Sequence, residues 1–525
     1  MVLFRTSWIL LSLLVFAVGC SKTSTPPAGN TLVYGRGEDA NTLDPIHTDI
    51  GEAVKVIVNL FDTLVTYDDE TVELVPALAT KWSHSDDGLT WTFQLRDDVK
   101  FHDGTPLDAE AVVFSFERLL NESPDDVQPR PYQPNFRGIE RVKAIDAHTV
   151  EFQLRSPSAV FLQNLAMFPA SIVSPAAVKK YGSGFSSHPV GSGPFQFKAW
   201  ERGQAITLEA FADHWRGPPG LERVIFVSVS ENATRAQQLR RGESQLADDL
   251  APSELAMLAT LDDMTVQEAT GLNVCYLSMQ MEKEPLKYRC VREAIGHAID
   301  KHELIRIAYG GQAEAAVNMC PRAMRGHHDG IQDRAFDVAQ AKQMLAACAQ
   351  REGFSLPVKL TLAVMNEPRP YLPQPDVVGS FIKDSLAKIG IEVRVEPRSV
   401  NQHFAHVMAG KHELALAGWY TDNNDIDNFL YSLLDPDNIS EHGNNLSHYN
   451  NPEVHRLLLA GQTELDPEKR LPIYHQAQEL IFADAPTIPL VHARFRVAHA
   501  ARLKGYKLHP TGLVRLRLAY FEEAP

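Results

Sequence analysis

Two turns in the second half of this sequence carry side chains able to hold a small charged ligand. The first is Pro368-Arg369-Pro370-Tyr371; the second runs from Gly418 through Trp419, Tyr420, Thr421 and Asp422 to Phe429. A guanidinium offers a carboxylate two parallel hydrogen bonds, which the point charge of a lysine does not. A carboxylate such as Asp422 pairs with an ammonium group. Arg369 and Asp422 therefore suit the two ends of a zwitterion, and Tyr371 and Trp419 put an aromatic ring beside each charge. Taken singly, Asp422 reads as a capping or surface carboxylate, Arg369 as a solvated loop residue and Trp419 as core. Their joint placement favours ligand binding.

That placement depends on the elements leading into each turn. Val358 to Val364 and Leu414 to Ala417 are short apolar runs that read as buried strands. Between them lie a helix from Val377 to Ile389 with Gly390 at its end, a strand from Ile391 to Glu396, and a helix from Asn401 to Ala409 stopped by Gly410. This alternation predicts βαβ units in a parallel sheet, which sets both turns on one rim of the sheet, where ligands bind in open α/β folds. Neighbouring strands lie about 4.8 Å apart. An extended dipeptide spans at most roughly 7 Å, so the spacing of such turns is of the right order. Asp427 is expected to cap a helix from Asn428 to Leu434. Upstream, Asp108 is expected to cap a helix from Ala109 to Leu120, Pro124 to Pro134 reads as a proline-rich loop, and Val291 to Asp300 and beyond reads as one helical stretch.

Arg5 followed by an apolar run from Trp8 to Val18 predicts a signal peptide over residues 1–19, since the run is too short to span a bilayer. Small residues before Cys20 and a Ser/Thr/Pro-rich stretch after it predict lipidation at Cys20 and a tether over 20–30. The net charge of −16, from 66 acids and 50 bases, argues against nucleic acid as a partner. The 44% hydrophobic content of the 525 residues suffices for sizeable cores in two or three domains. Cys275, Cys290, Cys320 and Cys348 allow three disulfide pairings, or some are buried thiols.

Several ordered segments resemble the solute-binding proteins of peptide ABC importers (extracytoplasmic family 5), and within them the dipeptide-binding members. They are Thr42-Leu43-Asp44-Pro45; Glu73 to Ala79; Asp87 to Phe93; Phe101-His102-Asp103-Gly104-Thr105-Pro106 followed by Ala109 to Ser115; Pro189 to Phe195; and Val291 to Asp300. The resemblance implies an α/β, two-lobed periplasmic-binding-protein (type II, venus-flytrap) fold with an extra inserted subdomain. Lobe I would hold residues 31–272, with the insert at 76–188; lobe II would hold 273–496; and 497–525 would return to lobe I. Crossing strands near Asn273–Tyr276 and Val491–Val497 would form the hinge. In dipeptide-binding relatives the Arg of an Arg-Pro-Tyr turn takes the ligand carboxylate, and the Asp three residues after a Trp takes the ammonium. These positions are Arg369 and Asp422 here, with Tyr371 and Trp419 lining the pocket. Ile426 stands where those relatives usually have Pro. The resemblance also implies a monomer at the periplasmic or cell-surface side of the membrane, lipid-anchored, handing a short peptide to permease subunits.

The same family takes haem, glutathione, nickel complexes or sugars, and these are the alternative ligands. No catalytic residue, metal site or cofactor is expected. Ser385-Leu386-Ala387-Lys388 has the Ser-x-x-Lys form of a serine hydrolase but falls mid-helix and reads as a solvated face. Asp422 to Asp427 superficially resembles a calcium loop, with Ile426 where an oxygen is required. His327-His328-Asp329 is the one metal handle, and twenty histidines make a chance pair ordinary.

Overall fold

The computed structural model describes residues 30–121, 128–440 and 443–522. The expected signal peptide, Cys20 and the tether up to residue 29 lie outside the described residues. Among these, no helix is long and apolar enough to cross a membrane.

Two large mixed sheets, each with its own core, make up two lobes. The first has seven strands in the order Met264–Ala269, Phe495–Ala500, Leu246–Asp248, Thr31–Arg36, Arg223–Ser228, Ala205–Ala210, Phe195–Glu201. The second has six: Ala313–Ala315, Thr487–Ala493, Asn273–Met279, Leu414–Tyr420, Val358–Met365, Ile391–Arg398. Asn273–Met279 and Thr487–Ala493 are buried along their whole length, as suits strands covered on both faces. A separate four-stranded antiparallel sheet, drawn from Ala79–His84 to Thr149–Leu154, packs on the helix Ala109–Leu120 around Phe93, Phe116 and Phe152. Asp108 caps that helix as expected, accepting from Ala111 N at 3.0 Å.

The chain passes between the two large sheets twice, at 270–272 and at Arg494. The expected crossing strand Val491–Val497 is thus two strands, Thr487–Ala493 and Phe495–Ala500, one in each sheet.

Three expectations are corrected. The second sheet is not purely parallel: Val358–Met365 runs parallel to both neighbours, but Asn273–Met279 is antiparallel to Leu414–Tyr420 and to Thr487–Ala493. The stretch from Val291 is two helices, Arg289–Ala298 and Lys301–Ala308, because Ile299 is extended and Asp300 caps Glu303 N at 3.1 Å. Ser385 faces the core rather than solvent, at 2% exposure, while Lys388 lies exposed beyond its helix. The cysteines resolve as one disulfide, Cys290–Cys348, with Cys275 and Cys320 as buried thiols.

Candidate ligand-binding cleft

The strands Val358–Met365 and Leu414–Tyr420 are adjacent and parallel, in the register Leu362↔Leu414 and Ala363↔Ala415. Their carboxyl ends therefore open on the same rim, and the two turns expected to carry the site follow them there.

At the first turn the backbone folds tightly. Arg369 and Leu372 exchange hydrogen bonds, N to O at 3.0 and 2.8 Å. Tyr371 is 4% exposed, and its carbonyl accepts from the Tyr309 hydroxyl at 2.9 Å. Its ring lies on Gly418, where a Cβ would come within 2.1 Å of the ring. Gly418 is thus required by close packing, and burying an aromatic ring of this size contributes about 1.5–3 kcal/mol. Tyr371 acts as a prop for the turn. Arg369 is half-buried, and its guanidinium has no hydrogen-bond or ion-pair partner among the described residues.

The second turn is densely bonded. The Asn428 carboxamide oxygen accepts from Trp419 Nε1 at 2.8 Å and from Asp422 N at 3.0 Å, and its Nδ2 donates to Asp422 Oδ2 at 3.1 Å. The Tyr132 hydroxyl donates to Asp422 Oδ1 at 2.9 Å. Burial pushes the Asp422 carboxyl up to about 6, against the opposing effect of the Asn428 and Tyr132 hydrogen bonds. A desolvated carboxylate of this kind gains from a cationic partner.

Asp425 and Asp427 are engaged elsewhere. Arg470 grips Asp425 in a bidentate pair at 2.6 and 2.7 Å. Asp427 accepts from the Tyr474 hydroxyl at 2.9 Å and from Gln462 Nε2 at 3.1 Å. The expected capping role of Asp427 is therefore corrected. The helix runs Asp427–Leu434, the preceding Ile426 provides no side-chain cap, and Asp425 Oδ1 receives Asp427 N at 2.9 Å. Ile426 has φ −60°, close to the angle a proline would impose, so the turn keeps the backbone that proline favours.

Tyr420 stands between the two charges. Its phenol is pushed up to about 12 by loss of water and by Asp422, with Arg369 acting in the opposite sense. The side chain still keeps 39% of its surface open. The hydroxyl lies 4.0 Å from a Cβ built on Gly51, at the start of the helix Gly51–Leu60. Three contacts besides Tyr132 close the same cleft. Tyr67 Oη donates to Asn423 O at 2.9 Å, Asn423 Nδ2 to Asn164 Oδ1 at 2.7 Å, and Ala159 N to Gln462 O at 2.8 Å.

The structure thus brings Arg369, Tyr371, Trp419 and Asp422 to one rim. Sequence reasoning missed Asn428, which it read as the start of a helix, Tyr132, which it left in a proline-rich loop, and the bridging position of Tyr420. An aromatic residue in a polar loop and an amide in a helix's first turn were the available signals.

The sequence signature of the bacterial extracellular solute-binding proteins, family 5 middle, matches residues 73–441. The dipeptide-binding protein of Escherichia coli (strain K12) is 32% identical over 473 residues, covering 87% of this chain and 88% of that protein. Heme-binding protein A of Haemophilus influenzae is also 32% identical, over 86% of this chain and 85% of its own length. Among solved structures, the ABC transporter-associated periplasmic binding protein DppA from Helicobacter pylori, in complex with peptide STSA, superimposes with a TM-score of 0.83. It has 32% identity, with 94% of this chain and 98% of that chain covered. The architecture is the α/β, two-lobed fold of periplasmic binding proteins, and the chain belongs to the bacterial extracellular solute-binding proteins of family 5.

Proposed function

We propose that this protein captures short peptides, dipeptides foremost, by their charged ends and delivers them to an ABC permease. Arg369 takes the ligand carboxylate, Asp422 takes the ammonium group, and Tyr371, Trp419 and Tyr420 frame the space between. The observation that carries this reading is that a guanidinium without a partner among the described residues shares one strand rim with a desolvated carboxylate. The relatives support a peptide without deciding its length, since one carries a dipeptide in its name and another holds the peptide STSA. Broad side-chain tolerance follows, because the fixed charges read only the backbone termini. A haem ligand is the second reading, favoured by a relative of equal identity.

The working division keeps lobe I at 31–272 plus 497–525, with the insert at 76–188, and lobe II at 273–496. The sheet memberships and the two crossings support it. Anchoring through lipid on Cys20, a periplasmic or cell-surface location and a monomeric state complete the proposal, with a solute-carrying rather than catalytic role. Native mass spectrometry of the purified protein tests the ligand. Co-purified masses fitting dipeptides support the two-charge clamp; a haem mass, or longer peptides indifferent to Arg369, refute it.

A further inference from the structure

The segment leading into the helix Gly51–Leu60 is anchored at both ends to residues around Asp422. At its downstream end, a Cβ built on Gly51 would lie 4.0 Å from the Tyr420 hydroxyl. At its upstream end, His47 is buried and its Nδ1 donates to the Pro129 carbonyl at 3.0 Å, on the loop that carries Tyr132. Thr48 fixes the backbone between them. Its hydroxyl donates to Asn41 Oδ1 at 2.8 Å and accepts from Ile50 N at 3.1 Å. Tyr132 in turn bonds Asp422.

Asp49 stands in the middle of this segment. Two residues of extended chain span at most roughly 7 Å, so Asp49 is close to both anchors. It is exposed and has no hydrogen-bond or ion-pair partner among the described residues. Helix capping does not occupy it, because Ile50 is the N-cap and the helix start has no side-chain cap bond. The electrostatics agree with this position. Burial is the main cause that raises the Asp422 carboxyl and the Tyr132 and Tyr420 phenols, and the Asp49 charge pushes each further the same way. Lys55, which also acts on Tyr420, is held by Asp248 at 2.6 Å, Glu52 at 2.7 Å and Asp249 at 3.3 Å, so this cation is matched by other carboxylates. The acidic end of the cleft thus carries two carboxylates, Asp422 and Asp49, against the single guanidinium of Arg369 at the basic end.

A peptide with a neutral first side chain matches Arg369 and Asp422 and leaves Asp49 without a cation. A carboxylate that loses water unmatched is costly, whereas a matched one gains charge-assisted hydrogen bonds. We infer that Asp49 selects peptides whose first residue carries a cationic side chain: lysine, arginine or ornithine. Asp422 takes the ammonium group and Asp49 the side-chain cation. Asp49 reads the first residue rather than the last because it acts at the Asp422 end. This inference rests on the assignment of Asp422 to the ammonium group and adds a ligand class to it, as a preference laid over broad tolerance.

Calorimetry of the purified protein with lysyl-alanine, norleucyl-alanine, alanyl-lysine and alanyl-norleucine tests it. Norleucine keeps the aliphatic stem of lysine without the charge. Lysyl-alanine is expected to bind about tenfold tighter than norleucyl-alanine, and Asp49→Asn to reduce that ratio to about twofold or less. Asp49 is exposed and unbonded among the described residues, so the substitution spares the contacts of the fold. Alanyl-lysine is expected to gain at most about twofold over alanyl-norleucine, which separates Asp49 from the general pull of a chain of net charge −16 on any cation. Equal affinities for lysyl- and norleucyl-alanine overturn the inference. So does a preference that survives Asp49→Asn, or one that alanyl-lysine shares. Failure of all four dipeptides to bind overturns the peptide reading of the cleft and this inference with it, a result distinct from the other three.

Discussion

The two ends of the cleft are built in opposite ways. Asp422 is bound on both oxygens, by Asn428 six residues along the chain and by Tyr132, 290 residues away in sequence. Arg369 sits on a turn propped by Tyr371, and its guanidinium has no partner among the described residues. The acidic end is therefore preorganised and interlocked with folding, whereas the basic end is held in position but left open. Preorganised charge recognises its partner with little further ordering, while an open charge gains its hydrogen bonds only on binding. Substitutions at the acidic end should then disturb stability and affinity together, and those at the basic end affinity alone.

The sharpest break in this contrast is Asn428→Ala. It removes the acceptor of Trp419 Nε1 and Asp422 N together with a donor to the carboxylate, leaving buried polar groups unmatched at roughly 1–3 kcal/mol each. A loss of about 2–4 kcal/mol in urea unfolding is expected, accompanied by weaker binding. Arg369→Ala is expected to cost roughly 2–3 kcal/mol of dipeptide affinity by calorimetry, about 30- to 150-fold, with an unchanged urea midpoint. C-terminally amidated ligands should not register that substitution. A fall in stability as large as that of Asn428→Ala would erase the distinction between the two ends.

This contrast was only half legible in the sequence. The apolar runs ending at Val364 and Ala417, punctuated by Gly390 and Gly410, were enough to set Arg369 and Asp422 on one rim. The partners of Asp422 were not, because Tyr132 comes from 290 residues away and only tertiary packing brings it near. The antiparallel course of Asn273–Met279 was equally hidden: alternation of strands and helices describes local connections, and this strand enters from the other sheet. The helix break at Ile299 and Asp300 was masked by apolar periodicity continuing through it. The buried Ser385 was misjudged because its helix is covered on the face that carries it.

Acid titration separates the ends further. The Asp422 carboxyl is raised to about 6 in the ligand-free protein. An ammonium ligand selects the ionised form, so affinity is full above that value and falls as pH drops through it, by up to about tenfold per unit. The stability contribution has the opposite sign. A raised carboxylate contributes stability that is fully present below its unfolded value near 3.8 and is lost as pH rises through about 6. Between pH 6 and 4 the ligand-free protein should therefore gain stability relative to Asp422→Asn while losing affinity. Parallel pH profiles for the two proteins would remove Asp422 as the cause.

Tyr132→Phe has the smallest expected effect. It deletes one hydrogen-bond donor to Asp422, worth about 1 kcal/mol, and should weaken binding severalfold while shifting the affinity midpoint to higher pH.

The central claim is that Arg369 and Asp422 read the two termini of one peptide. Calorimetry of wild type and Asp422→Asn against a dipeptide and its N-acetylated form tests it most directly. The account predicts that the substitution weakens the free dipeptide by roughly 2–3 kcal/mol and leaves the weaker binding of the acetylated form nearly unchanged. Equal losses for both ligands would contradict it, because Asp422 would then support the cleft without touching the ammonium group.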